Sequence, residues 1–238
     1  MIKLLESEFS IVLPLLEEVP FNKLFAQVII SRVVTGTVFV DDPLKPTASL
    51  IVHKYGMALL CGNSRKVSDT ILREAGAKWL LSYPSQLQVA LPKSIRINFK
   101  FQGKELPFNL PSNFHLVQID EHLYERINGS VVPKAFWNTG PDFISKGVGY
   151  TLLEDDEIVS TCFTSFIMDN KYELGVETTE KYRGKGYALF PCLALINDCL
   201  SQGFEPIWAC RKDNIGSYKL AEKLGFIPLS YHPYYFIE

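Results

Sequence analysis

The stretch Glu173-Leu-Gly-Val-Glu-Thr-Thr-Glu-Lys-Tyr-Arg-Gly-Lys-Gly-Tyr-Ala188 constrains the fold more than any other part of this chain, because an extended apolar segment runs straight into a basic, glycine-rich turn that opens a long helix. Strand, turn and helix in that order build an anion cradle. Gly184 and Gly186 let a ligand approach the backbone, the first N–H groups of the helix have no intrahelical acceptor, and the helix dipole adds positive potential. A phosphate group fits such a place.

Two common phosphate motifs fail on these residues. A P-loop needs Gly-Lys followed by Ser or Thr, and Lys185 is followed by Gly186. A dinucleotide fingerprint needs Gly or Ala where Leu189 stands and an acidic residue closing the next strand, whereas Glu205 precedes that strand. The spacing that remains is Arg183-x-x-Gly186-x-Ala188.

Composition bounds what surrounds the cradle. The chain has 238 residues, 47% apolar and 13% aromatic, enough for a substantial core in one large domain or two small ones. A formal charge of −2 and the lack of any dense Lys/Arg run speak against nucleic acid as a partner. No run of about 18 apolar residues is present to span a bilayer, and the first residues have no signal-peptide organisation, so no membrane partner and a cytoplasmic location are expected. Cys61, Cys162, Cys192, Cys199 and Cys210 are scattered without a C-x-x-C pair, and the histidines are dispersed, which reads as reduced thiols and no metal site.

Periodicity predicts two helices over 6–34 interrupted by Pro20, strands over 37–40, 48–53 and 55–61, a helix over 68–76, and strands over 79–83 and 95–101. Gly103 to Asn113, with two prolines, reads as a linker, giving an N-terminal α/β domain over 1–107 and a second domain over 108–238. In the second, a strand over 115–119, helices over 121–128 and 133–138, and a hairpin of 149–153 with 158–167 precede the strand 171–176. A helix over 185–203, a strand over 206–210, a helix over 215–224 and an extended aromatic tail over 226–237 follow.

Arg183-x-x-Gly186-x-Ala188 between a strand and a helix resembles the signature of the GNAT superfamily of acyl-coenzyme A dependent N-acyltransferases. Downstream, Asn214-Ile-Gly-Ser-Tyr-Lys-Leu-Ala-Glu-Lys-Leu-Gly-Phe226 resembles that family's second characteristic segment, and the element order over 114–238 also matches. The resemblance implies a mixed, mostly antiparallel sheet flanked by helices, acetyl-CoA as co-substrate, no metal, and transfer of an acetyl group to a primary amine of a small molecule. It leaves open a catalytically silent acyl-CoA sensor, acetylation of a protein lysine or N-terminus, and a homodimer. Gly36 to Ala48 is similar to the region before the core in a subset of the family whose N-terminal half is a divergent copy of the fold. That half carries no Arg-x-x-Gly-x-Gly/Ala match and is expected to shape the acceptor pocket.

The resemblance assigns Gly184, Lys185, Gly186, Tyr187 and Ala188 to the coenzyme pyrophosphate, with Lys181 and Arg183 adding charge, and maps the pantetheine arm onto Val176 and Thr178. It also places Asn214 and Ser217 at the coenzyme, gives the thiolate its proton from Tyr218, and turns the Val176 N–H toward the oxyanion. Capping alone also explains Asn214, and core packing also explains Tyr218. A protonated amine must lose a proton before it attacks, and Glu173 and Glu177 share one face of a regular strand, so either can serve as base or simply hold a lysine. A phenol with an ordinary pKa of about 10 suits proton donation to a thiolate. Covalent catalysis through Cys192, Cys199 or Cys210 lacks a neighbouring histidine, which leaves direct attack in a ternary complex.

Overall fold

The structure is a computed structural model that describes residues 1–63, 65, 67–84, 87 and 90–237. In chain order it contains β1 (Ile2–Lys3), a 3-10 turn (Glu6–Val12) running into α1 (Leu13–Glu17), α2 (Leu24–Ile30), β2 (Gly36–Val40), β3 (Ala48–His53), β4 (Met57–Gly62), α3 (Asp69–Glu74), β5 (Trp79–Tyr83) and β6 (Lys93–Phe101). Then follow β7 (Phe114–Gln118), α4 (Glu121–Arg126), α5 (Pro133–Phe136), α6 (Gly140–Lys146), β8 (Gly149–Glu154), β9 (Glu157–Met168), β10 (Lys171–Thr178), α7 (Leu189–Ser201), β11 (Glu205–Arg211), α8 (Ile215–Lys223) and β12 (Phe226–Phe236). This is the mixed, mostly antiparallel α/β class expected from the sequence.

The chain divides into two compact units, one of Met1–Asn98, Arg211–Asp213 and Ser230–Glu238, the other of Phe99–Cys210 and Asn214–Leu229. Along the chain the first change of unit falls at 98/99. The tail belongs to the first unit because Tyr235 and Phe236 pair antiparallel with Leu80 and Trp79 of β5, and Tyr235 enters the core of Leu50, Leu60, Leu72 and Leu80.

In the first unit, β1 to β4 pair antiparallel in sequence order, and β5 joins β4 in parallel after the α3 crossover. β3 is buried along its whole length and β4 nearly so, as expected of strands covered on both faces. The β4–β5 register runs from Met57↔Trp79 to Cys61↔Tyr83, the full length of β5. Ser68 caps α3, its Oγ accepting the Ile71 N–H at 3.3 Å.

The second unit repeats that succession. β7, β8, β9 and β10 pair antiparallel in order, and β11 joins β10 in parallel after α7. One sheet face is filled by Phe136, Trp137, Phe143, Phe163 and Phe166, with centroid separations of 5.5–6.4 Å. Such edge-on pairs add about 0.5–1.5 kcal/mol each beyond area burial. The buried Trp137 indole N–H donates to the Thr164 carbonyl at 2.7 Å, so this large ring carries no unpaired donor into the core.

α7 covers the opposite face with Cys192, Leu193, Leu195, Ile196 and Cys199. Its Pro191 sits in the first turn, where no intrahelical N–H is needed. Periodicity predicts no helix between 138 and 149, where the structure has α6. Here Pro141 also occupies a first turn, and the Thr139 Oγ accepts the Asp142 N–H at 3.2 Å.

The segment read as a linker is a strap of the second unit. Leu106 donates its N–H to the Asn197 side-chain carbonyl at 3.2 Å, and the Asn197 amide donates back to the Leu106 carbonyl at 3.1 Å. Gln102 donates to the Gly225 carbonyl at 3.0 Å, where a side chain on Gly225 would stand 2.9 Å from the Gly103 Cα. The helix ends as its glycine allows, and the strap passes over it.

Candidate functional site

β10 and β11 pair only at Lys171↔Glu205, Tyr172↔Pro206 and Glu173↔Ile207, and then part. β10 continues to Thr178 paired with β9. Thr179 donates to the Val159 carbonyl at 3.0 Å, and backbone pairing alternates along an antiparallel ladder. Counting back, Gly175 and Glu177 turn their backbone groups to β9, while Val176 and Thr178 turn theirs to the side that β11 has left. The register shift between Glu173 and Leu174 marks where the strands separate. A Cβ on Gly175 would meet the Phe163 ring at 2.6 Å, so glycine makes room for that ring.

The open edge leads into the turn. Gly184 and Gly186 have φ of 78° and 83°, and no heavy atom lies within 4 Å of where a Cβ would stand. Those backbones end the expected early start of the helix: α7 begins at Leu189, not at Lys185, with Ala188 at its cap and no side-chain cap bond. Among the described residues, no hydrogen bond takes the N–H of Gly184, Lys185, Gly186, Tyr187 or Ala188. A row of open donors at a helix start suits a polyanion.

Its cations are less available than the sequence suggests. Lys181 pairs with Glu157 and stacks at 4.8 Å over the Tyr182 ring, and Glu157 raises the pKa of its ammonium. Arg183 pairs with Glu177 at 3.0 Å and donates from Nε to the Thr178 carbonyl at 3.0 Å. Lys185 stands 5.4 Å over the other partner it has in common with Lys181, the Tyr182 ring. Tyr182 pins the turn to the β8–β9 hairpin, donating to Glu154 at 2.8 Å and Glu157 at 3.1 Å. The bond to Glu154 is also the main reason its phenol is pushed above the ordinary range.

The two strand carboxylates have different surroundings. Glu173 is 6% exposed, at the last pair before β10 and β11 separate, and faces the side carrying Phe166. Glu177 binds the loop between α4 and α5: one oxygen accepts the Ser130 N–H and Oγ–H, both at 2.9 Å, and the Val131 N–H at 3.0 Å. Burial raises its pKa, but these bonds and Arg183 outweigh burial and hold it below the usual carboxylate range.

Asn214, Ser217 and Tyr218 stand together on the first turn of α8. The Asn214 side-chain oxygen accepts the Ser217 N–H at 3.1 Å, the cap expected from sequence, and the Ser217 Oγ accepts the Trp208 indole N–H at 3.2 Å. The Tyr218 ring lies edge-on to Phe99 at 5.5 Å. All five cysteines are free and buried, and burial pushes Cys61 and Cys199 up to about 12 and Cys162 well above its ordinary value. Such thiols supply no thiolate near neutral pH.

Sequence reasoning missed Ser130, Val131, Glu154, Glu157 and Tyr182. The Gly129-Ser130 turn is visible in the sequence, but its carboxylate partner lies 47 residues away. Among the described residues, no helix is long and apolar enough to cross a membrane, and no cluster of three or more His, Cys, Asp or Glu could hold a metal.

A parted pair of parallel strands, an open strand edge and an uncapped glycine turn together form one continuous run of open backbone groups on an α/β sheet. The family model of GNAT acetyltransferase matches residues 14–235, and the chain belongs to that family, whose members use acetyl-CoA. It is 28% identical over 233 residues to the uncharacterized N-acetyltransferase YdfB of Bacillus subtilis (strain 168), covering 89% of each chain. Its fold is similar to a GCN5-related N-acetyltransferase-like protein from Streptococcus suis, with a TM-score of 0.76, 22% identity, and 97% and 98% of the two chains covered. It is also similar to a tandem GNAT protein from the clavulanic acid biosynthesis pathway, with a TM-score of 0.60, 10% identity, and 98% and 96% covered.

Proposed function

We propose that this chain is an acetyl-CoA dependent N-acetyltransferase acting on a primary amine of a small molecule, by direct attack within a ternary complex. The observation that carries the reading is the continuity of the open β10 edge with the unclaimed donors of residues 184–188. In it, the backbone groups of Val176 and Thr178 hold the pantetheine arm, and the N–H groups of Gly184 to Ala188 hold the pyrophosphate. Lys185 adds charge, and Asn214 and Ser217 flank the coenzyme from α8.

Glu173 is the base of this mechanism. Its burial beside the opening suits one ammonium group, and it takes the proton that the amine must lose. The amine nitrogen then bonds to the thioester carbonyl carbon, and the Val176 N–H stabilises the charge on its oxygen. The C–S bond breaks, Tyr218 donates its proton to the departing thiolate, and the remaining extra proton on the amide nitrogen passes through solvent to restore the phenol. The first unit, with the same succession of strands, serves as a copy of the fold without a coenzyme site.

Thiol release measured across a panel of small amines, with acetyl-CoA as donor, tests the reading. We expect acetyl-CoA to raise the melting temperature and at least one amine class to release thiol. Stabilisation without release from any amine would make the protein a sensor, and release only with peptides would move the acceptor to protein.

A further inference from the structure

Glu177 has two oxygens and serves a different group with each. Oε2 grips the loop at Ser130 and Val131 through three donors, and Oε1 holds Arg183. The loop is shaped around this carboxylate. Gly129 has φ of 143°, and a Cβ there would lie 2.7 Å from the Glu177 Cγ, so only glycine allows this approach. The Glu177 side chain is 12% exposed and that of Arg183 is 60% exposed, which makes the arginine the accessible end of the chain of bonds.

We propose that Glu177 is a positioning residue that makes the grip on loop 128–131 depend on whether the cradle holds acetyl-CoA. The inference rests on the coenzyme reading above. Arg183 now spends its Nε on the Thr178 carbonyl and an Nη on Glu177. A pantetheine amide N–H pairing with that carbonyl competes with Nε, and a pyrophosphate competes for the guanidinium through two-point, charge-assisted bonds. Either event draws Arg183 from Oε1. The carboxylate is then left with the loop donors as its remaining partners, and it binds them more tightly.

In this proposal Glu177 is not the base considered from sequence. Three loop donors occupy Oε2, and a carboxylate held below the usual range is a poorer proton acceptor than an ordinary glutamate. Glu177 acts through the loop and the arginine without touching the reacting atoms.

Amide hydrogen exchange of residues 129–131, with and without coenzyme A, tests the coupling in the full chain. In the unsubstituted protein we expect coenzyme A to slow exchange there by about tenfold, the size of one strengthened charge-assisted hydrogen bond. Glu177→Gln keeps an acceptor for the loop but points an amide at Arg183, and its loop exchange should no longer respond to coenzyme A. Its acceptor KM should rise while the acid limb of the kcat/KM pH profile stays in place. Arg183→Lys, which cannot serve both partners, should uncouple the loop in the same way if the glutamine variant fails to fold. Persistence of the response in either folded variant overturns the proposal, as does loss of the acid limb in Glu177→Gln. If coenzyme A leaves the melting temperature of the unsubstituted protein unchanged, the coenzyme reading falls and the coupling with it. A melting shift without any change at 129–131 removes the coupling alone.

Discussion

In the first unit β4 and β5 stay paired through Cys61 and Tyr83, whereas in the second β10 and β11 part after Glu173 and Ile207. The glycine that ends β4 and those that follow β10 differ in the same sense. A side chain on Gly62 would run into the Thr47 carbonyl oxygen, while Gly184 and Gly186 face open space. The helices differ too: Ser68 caps α3 by accepting the Ile71 N–H, and α7 has no side-chain cap. One succession of elements thus yields fully paired strands and a capped helix start in one place, and parted strands with an open, unsatisfied turn in the other. Topology alone does not make a binding site. Leaving donors unpaired has a stability cost, and a fold keeps that cost where a ligand can offset it.

Substitutions on the two sides of this contrast should fail in different ways. Glu173→Gln should lower kcat by about 10²–10⁴-fold, the usual range for a lost base, with acetyl-CoA still stabilising the protein; an unchanged rate would take the base away from the parting strands. Gly186→Val should weaken acetyl-CoA binding by about 10–100-fold in a calorimetric titration, because a branched side chain is strained at positive φ and covers the donors. Gly62→Ala should act on stability alone, lowering it by about 1–3 kcal/mol in urea unfolding through strain and overlap, with coenzyme affinity preserved. A fall in affinity there would tie the first unit to coenzyme binding. Ser68→Ala should cost about 1 kcal/mol of stability and nothing in binding.

The smallest effect concerns pH. Glu177 has a folded-state pKa below its unfolded value, so its contribution is present above about pH 4.3 and is lost as pH falls through the lower folded value. Urea midpoints measured between about pH 3 and 6 should fall less steeply toward acid in Glu177→Gln than in the unsubstituted protein. Equal slopes would show that the loop donors do not stabilise the ionised form.

How much of this was legible in the residues depends on the range of the interactions. The sequence predicts β5 with its observed limits, Trp79–Tyr83, because an apolar run bounded by turn formers is a local signal. The Asn214 cap was legible for the same reason, since its partner is three residues away. α7 was read four residues too early, because Lys185 and Tyr187 suit a helix and only the backbone angles at Gly184 and Gly186 delay it. The site was harder still. The type of turn was visible, but the point where β10 leaves β11 depends on a register shift with β9 that no side chain announces. The pairing of Arg183 with Glu177 and of Lys181 with Glu157, which removes two cations from the expected charge, depends on the folded hairpin.

The last strand gives the molecule an order of assembly. Tyr235 completes the core that Leu50, Leu60, Leu72 and Leu80 begin, and every residue of the second unit is synthesised before it. A nascent chain that has emerged to Asn98 therefore holds β1 to β5 with the far side of β5 uncovered, a strand edge open to wrong partners until translation passes Phe236. The second unit has all its residues once Leu229 has emerged. The half translated first is thus the half that matures last, and stalled or truncated translation products should be taken up by chaperones or proteases through their N-terminal portion.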